Sequence, residues 1–169
     1  KASQLDPRDP EIAKDIGNLF LNMGKKDASL QWYEKALEIN SGYAPALNNI
    51  ANLKRQSENN QEAIYLFQKA IVADPKLVQA YLGSAAAHLA LGDLDQAASW
   101  SDQALTIKKN TPAANEILGT VFQKKSNPDR AIEHYQKELE INPQASNSYL
   151  NLGLLLLRKG QTGAAIEAL

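Results

Sequence analysis

The side chains best suited to chemistry in this chain are amides. Asn18, Asn48 and Asn52 each carry a carboxamide that can donate and accept, which is what the backbone of an extended peptide needs once water leaves it. Lys14 and Arg55 add positive charge, Glu116 a negative one and Gln123 a further amide, while Leu82, Leu89, Leu150 and Leu154 offer apolar contact. This mixture binds; it does not react. The plainer reading, that the asparagines are merely solvated, stays open from sequence alone.

The residues required for catalysis or metal binding do not assemble. His88 and His134 are 46 positions apart, and the chain has no cysteine, so neither a thiolate site nor a histidine cluster for a metal is expected. Asp93 and Asp95 could suggest a metal–nucleotide motif, yet they fall where a helix is expected to begin, a place acids take as caps. There is no glycine-rich phosphate loop, HExxH or nucleophile elbow. No cofactor and no enzymatic activity are expected. A net charge of -1 and a pI near 6.2 supply no basic footprint for nucleic acid. Apolar runs such as Leu154 to Leu157 fall far short of the roughly 20 residues of a membrane span, so no membrane insertion is expected. Absence of cysteine leaves the compartment open, with a cytoplasmic setting favoured.

The elements that position these side chains follow from a repeat. Ser29, Ala63, Ala97, Ala131 and Ala165 are each 34 residues apart, and Gly17, Ala51, Ala85, Gly119 and Gly153 share that offset. Ala36, Ala70 and Ala104 form a third ladder, in which Glu138 takes the fourth place. Within a unit, apolar residues at the fourth, seventh and eleventh places share one face of a helix that turns about 100° per residue; Leu118 with Phe122 and Leu152 with Leu156 are examples. Small or apolar residues such as Ala63, Phe67 and Ala70 form the matching stripe of a second helix. Gly24, Gly92 and Gly160 are placed to end the first helix in a left-handed residue, with Asp27, Asn60, Asp93 and Asn127 as N-caps and Pro128 in a first turn. Trp32 and Trp100 belong to the outer layer of second helices, His88 to a core place and His134 to the outer face.

These residues resemble the tetratricopeptide repeat, through Ile16-Gly17 with Phe20, Leu118-Gly119 with Phe122, Leu152-Gly153, and the second-helix segments from Trp32 to Leu37 and His134 to Lys137. Lys54 and His88 stand at the usual tyrosine place and Lys109 at a proline place. The resemblance implies an all-α fold, a right-handed superhelical solenoid of antiparallel helix pairs, with repeats at 10-43, 44-77, 78-111 and 112-145 and a partial one at 146-169. Residues 1-9 read as the end of a preceding second helix, and the piece as part of a longer array. Its apolar last helices then form either a truncation scar or a docking surface, and self-association through the ends is an expectation of that reading.

In such repeats the fifth, ninth and twelfth places of the first helix line a concave groove, which gathers Lys14, Asn18, Asn48, Asn52, Arg55, Leu82, Leu89, Glu116, Gln123, Leu150 and Leu154. Some members grip the terminal carboxylates of chaperone tails, and Lys14, Asn18 and Asn49 match three places of that clamp, but Gln79 and Gly83 stand where it requires basic residues. Asn49, Asn52 and Asn151 also resemble the asparagine ladder of O-linked N-acetylglucosamine transferases, which Gly83 and Ala86 interrupt here. The expected function is a non-catalytic scaffold that holds an extended peptide or helix of a partner protein. The alternative is a substrate-recognition or oligomerisation arm of a larger enzyme, such as a glycosyltransferase.

Overall fold

The computed structural model describes residues 8–168, so the expectations placed on residues 1–7 and on Leu169 lie outside the described residues. The described residues form ten helices and no strand: α1 (Pro10–Asn22), α2 (Lys26–Ile39), α3 (Ala44–Gln56), α4 (Asn60–Ala73), α5 (Val78–Leu91), α6 (Leu94–Ile107), α7 (Ala114–Lys124), α8 (Pro128–Ile141), α9 (Ser146–Arg158) and α10 (Thr162–Glu167). The chain divides into two compact units, Lys1–Ala87 and His88–Leu169.

In the first unit α1 packs on α2, α2 on α3 and α3 on α4. Its core is built from the small-residue ladders with large residues set between them: Ala36, Ala63 and Ala70 are fully buried beside Tyr33 and Phe67. Gly17 of the small-residue ladder is explained by the same packing. A Cβ on Gly17 would stand 2.5 Å from a ring carbon of Tyr33, so only hydrogen leaves room for the ring against α1. In the second unit α7 packs on α6 and α8, and α9 on α8 and α10. Gly119 and Tyr135 repeat the arrangement, the missing Cβ falling 2.6 Å from the Tyr135 ring.

The turn that ends each first helix is left-handed. Gly24, Gly92 and Gly160 have φ of 74°, 83° and 75°, as their spacing predicts. The same turn is taken without glycine by Glu58 at φ 61° and Ser126 at φ 57°. A side chain in this conformation costs about 1–2 kcal/mol, which packing of the paired helices outweighs.

The caps differ in part from expectation. Asn127 accepts from the Arg130 amide at 3.2 Å and Pro128 opens α8. Asp27 and Asn60 are not caps but lie inside α2 and α4; Lys25 stands at the first cap without a side-chain bond, and Asn59 accepts from the Glu62 amide at 3.4 Å. Asp93 is at the N-cap of α6, yet its carboxylate faces His88 Nδ1 at 3.4 Å instead of a backbone amide. Helix α7 begins at Ala114 because Ala113 is left-handed at φ 71°. Glu138, fully buried where the other units carry alanine, accepts the Ala113 amide at 2.8 Å and ties this bend to α8.

His134 is not an outer-face residue. Its ring is half-buried, stacked on Phe122 with centroids 5.2 Å apart, and Nδ1 donates to Asn115 Oδ1 at 3.0 Å. Burial pushes its pKa below the ordinary histidine value, the Lys137 ammonium adds to that, and Glu133 opposes it.

Candidate functional site

In the first unit the polar side chains of α1 and α3 meet in one network. Its hub is Asn18, whose Oδ1 accepts from the Tyr33 hydroxyl at 2.7 Å and from Asn49 Nδ2 at 3.1 Å. Asn48 Nδ2 donates weakly to Asn49 Oδ1 at 3.4 Å, and Asn52 Nδ2 reaches back one turn to the Asn48 carbonyl at 3.1 Å. These amides are therefore partly committed to one another. Asn48 is buried, contrary to the outward face its place predicts, and its Oδ1 has no hydrogen-bond partner. Arg55 is half-buried with an unbonded Nε. Lys14 is neutralised internally, 2.7 Å from Asp15 and 3.7 Å from Glu11; the hydrogen bond to Asp15 raises its pKa against the effect of burial. Leu82 is half-buried on α5.

The two clamp places without basic residues differ physically. Gln79 is exposed. Gly83 is closed, since a Cβ there would lie 2.2 Å from the Phe67 ring. No basic side chain fits at that place while Phe67 is present.

In the second unit a related network joins α7, α8 and α9. The Tyr135 hydroxyl donates to Gln123 Oε1 at 2.9 Å and lies 3.1 Å from Thr120 Oγ1, which donates to the Glu116 carbonyl at 3.0 Å. Burial raises the Tyr135 pKa, the bond to Thr120 lowers it and the Glu116 charge raises it further. The Glu116 carboxylate receives two long bonds from α9, from Ser148 Oγ at 3.4 Å and Asn147 Nδ2 at 3.5 Å. On the same helix Leu150 and Leu154 are 52% and 41% exposed, large values for leucine, while Asn151 is half-buried. Leu89 is half-buried near the end of α5.

Sequence reasoning missed the two tyrosines as members of these networks. The available signal is the pairing of Gly17 with Tyr33 and Gly119 with Tyr135 at one common spacing of 16 residues. It marks a ring packed on a helix whose hydroxyl must then find a partner on that helix.

Helical hairpins with a glycine–tyrosine lock and polar first-helix faces define a repeat protein built from helix pairs. Models described as "Tetratricopeptide repeat" match residues 15–43, 48–115 and 134–167. The chain belongs to the tetratricopeptide repeat family. Among curated relatives it is 31% identical over 158 residues to human "Tetratricopeptide repeat protein 6", covering 89% of this chain and 29% of that protein. It is 27% identical over 130 residues to human "Protein O-mannosyl-transferase TMTC1", covering 77% of this chain and 15% of that protein. The chain thus spans less than a third of either relative. Among solved structures, Pseudomonas aeruginosa pilF superposes with a TM-score of 0.88 at 20% identity, covering 96% of this chain and 75% of that one. The Cut9-Hcn1 hetero-tetramer of the APC/C matches with a TM-score of 0.86 at 21% identity, covering 96% of this chain and 32% of that one. At these identities the structural matches speak to fold. Among the described residues, no helix is long and apolar enough to cross a membrane.

Proposed function

We propose that this chain is a non-catalytic scaffold whose repeats, at 10-43, 44-77, 78-111, 112-145 and 146-169, bind an extended peptide or helix of a partner protein along the groove faces of the first helices. The observation that carries this reading is the convergence of Asn18, Asn49, Asn48 and Asn52 into one half-buried amide network beside the unbonded Arg55 Nε. Preformed networks of this kind hold donors and acceptors in place before a ligand arrives, which reduces the ordering cost of binding. The groove set comprises Lys14, Asn18, Asn48, Asn49, Asn52, Arg55 and Leu82 in the first unit, and Leu89, Glu116, Gln123, Leu150, Asn151 and Leu154 in the second.

The test is selection of peptides from a displayed library against the whole chain, followed by Asn52→Ala and Arg55→Ala. Loss of a buried amide contact should weaken a selected peptide by roughly 1–3 kcal/mol while the helix content stays unchanged. Selected peptides that bind both groove variants normally, and lose affinity only when exposed second-helix residues such as Glu133 are changed, would place the function elsewhere.

A second reading, an arm that selects substrates or oligomerises for a larger enzyme, is favoured by one observation: the 27% identity to a protein named as an O-mannosyl-transferase. A transferase domain in the gene that encodes this chain, with loss of substrate turnover on groove substitution, would establish it.

A further inference from the structure

The two networks differ in what they leave unsatisfied. In the first unit the groove cation Lys14 already has Asp15 at 2.7 Å and Glu11 at 3.7 Å. In the second unit Glu116 is half-buried, and no lysine or arginine of that unit forms an ion pair with it. Among the described residues its side-chain partners are neutral and long, Ser148 Oγ at 3.4 Å and Asn147 Nδ2 at 3.5 Å. A carboxylate can accept about four hydrogen bonds, so most of its capacity is unused. Position in the first turn of α7 stabilises a negative charge there, but supplies no cation.

Asn147, Leu150 and Leu154 are spaced three and seven residues apart, so they lie along one side of α9. The exposed leucines therefore continue from the residue that touches Glu116. A ligand covering this surface removes water from the carboxylate. A ligand without a cation would then leave a desolvated, unpaired charge, which costs far more than an exposed one.

We propose that Glu116 selects a lysine or arginine side chain of an extended peptide, with Leu150 and Leu154 receiving apolar side chains of the same peptide; this rests on the groove reading above. The specificity is negative as well as positive, because an acidic peptide meets repulsion at the same place.

Fluorescence anisotropy on the whole chain tests this with three fluorescein-labelled peptides of equal length. They share a leucine-containing sequence and differ at one position, which is lysine, glutamine or glutamate. The lysine peptide should bind about fivefold more tightly than the glutamine peptide, with the glutamate peptide weakest, and the spread should narrow as salt is raised. Glu116→Gln should bring the lysine and glutamine peptides to equal affinity, the glutamine peptide binding more tightly than before because no unpaired charge is left beneath it. Glu116→Lys should invert the order. A structural role alone would lower the melting midpoint in Glu116→Gln without changing the ranking. Should that variant be unstable, the ranking and salt dependence of the unaltered protein decide. Equal binding of the three peptides, or a lysine preference that survives Glu116→Gln, overturns the inference and leaves the groove reading intact. No binding by any of the three overturns both.

Discussion

The α1/α2 hairpin and the α7/α8 hairpin use one packing device and connect it to different chemistry. In each, a glycine admits a tyrosine ring, Gly17 with Tyr33 and Gly119 with Tyr135, and both rings are fully buried. At the polar end they part. Tyr33 donates to Asn18, which passes the link on to Asn49 of α3 through an amide. Tyr135 meets Thr120 and Gln123, and the link onward to α9 is made by the Glu116 carboxylate. Steric packing sets the hairpin, while the ring hydroxyl makes a polar contact whose partners differ between the two hairpins. Trp32 lies in α2 and Trp100 in α6, one in each unit, so each unit can be followed by its own fluorophore once the other is changed to phenylalanine.

The strongest way to break the comparison is to delete the rings. Tyr33→Ala and Tyr135→Ala should each cost about 3–5 kcal/mol in urea unfolding, because each empties a fully buried aromatic site. A cost several-fold smaller in one unit would mean that the two hairpins are not built alike. Next come Gly17→Ala and Gly119→Ala. The added methyl overlaps the ring at 2.5 Å and 2.6 Å, and overpacking of this kind costs about 1–3 kcal/mol, reduced by up to about 1 kcal/mol of improved helix propensity. Adding Tyr33→Leu to Gly17→Ala should recover part of the loss, since the clash is with the ring. If both glycines accept alanine without loss, the close approach is not what selects them.

Removing only the hydroxyl sharpens the difference between the polar ends. Tyr33→Phe and Tyr135→Phe should each cost about 0.5–1.5 kcal/mol. Asn18 keeps its bond from Asn49 in the first case, whereas Gln123 loses its donor in the second, so Tyr135→Phe should be the costlier.

The two units should also differ in response to pH. Residues 1–87 contain no histidine. His134 in the second unit has its pKa lowered on folding from an ordinary value of 6.5, first by burial and then by Lys137. The unfolded chain therefore binds the proton more readily, so this contribution is present above pH 6.5 and is lost as pH falls below it toward the folded value. The unfolding midpoint followed by Trp100 should drop more between pH 7.5 and pH 5.5 than that followed by Trp32, by a few tenths of a molar in urea on the order expected for a partly exposed group. His134→Gln should remove most of the difference. A Trp32 midpoint that falls equally would assign the effect to carboxylates common to both units. The smallest effect is expected for Glu133→Ala, whose 2.6 Å ion pair with Lys137 is fully solvated; its melting curve should overlie that of the unaltered chain.

Much of the fold is legible in spacing. The left-handed turns at Gly24, Gly92 and Gly160 could be placed from the sequence because glycine lacks the Cβ that disfavours positive φ. Glu58 and Ser126 could not be placed on propensity, since both residues resist that conformation and only the 34-residue offset points to them. Asn60 was a sound cap by residue type, but Asn59 is equally sound, and the bond to Glu62 decides for the latter. The candidate site was less legible. Helical phase puts Asn48 opposite the core stripe, yet the chain buries it beside Asn49 and Asn52. His134 looked like a surface residue until Phe122 and Asn115 of the facing helix were in place.

The sequence by itself determined the repeat period, the helix pairs and the family, because each rests on small and apolar residues whose spacing along one helix places them on a common face. Only the tertiary structure decided how the polar groups are matched. Asn49 bonds to Asn18 across 31 residues, the Glu138 carboxylate takes the Ala113 amide across 25, and Glu116 reaches Ser148 across 32. Hydrogen bonds weaken steeply over a few tenths of an ångström and with angle. Periodicity fixes a residue's face but not that distance, which emerges when the helices carrying the two groups have packed.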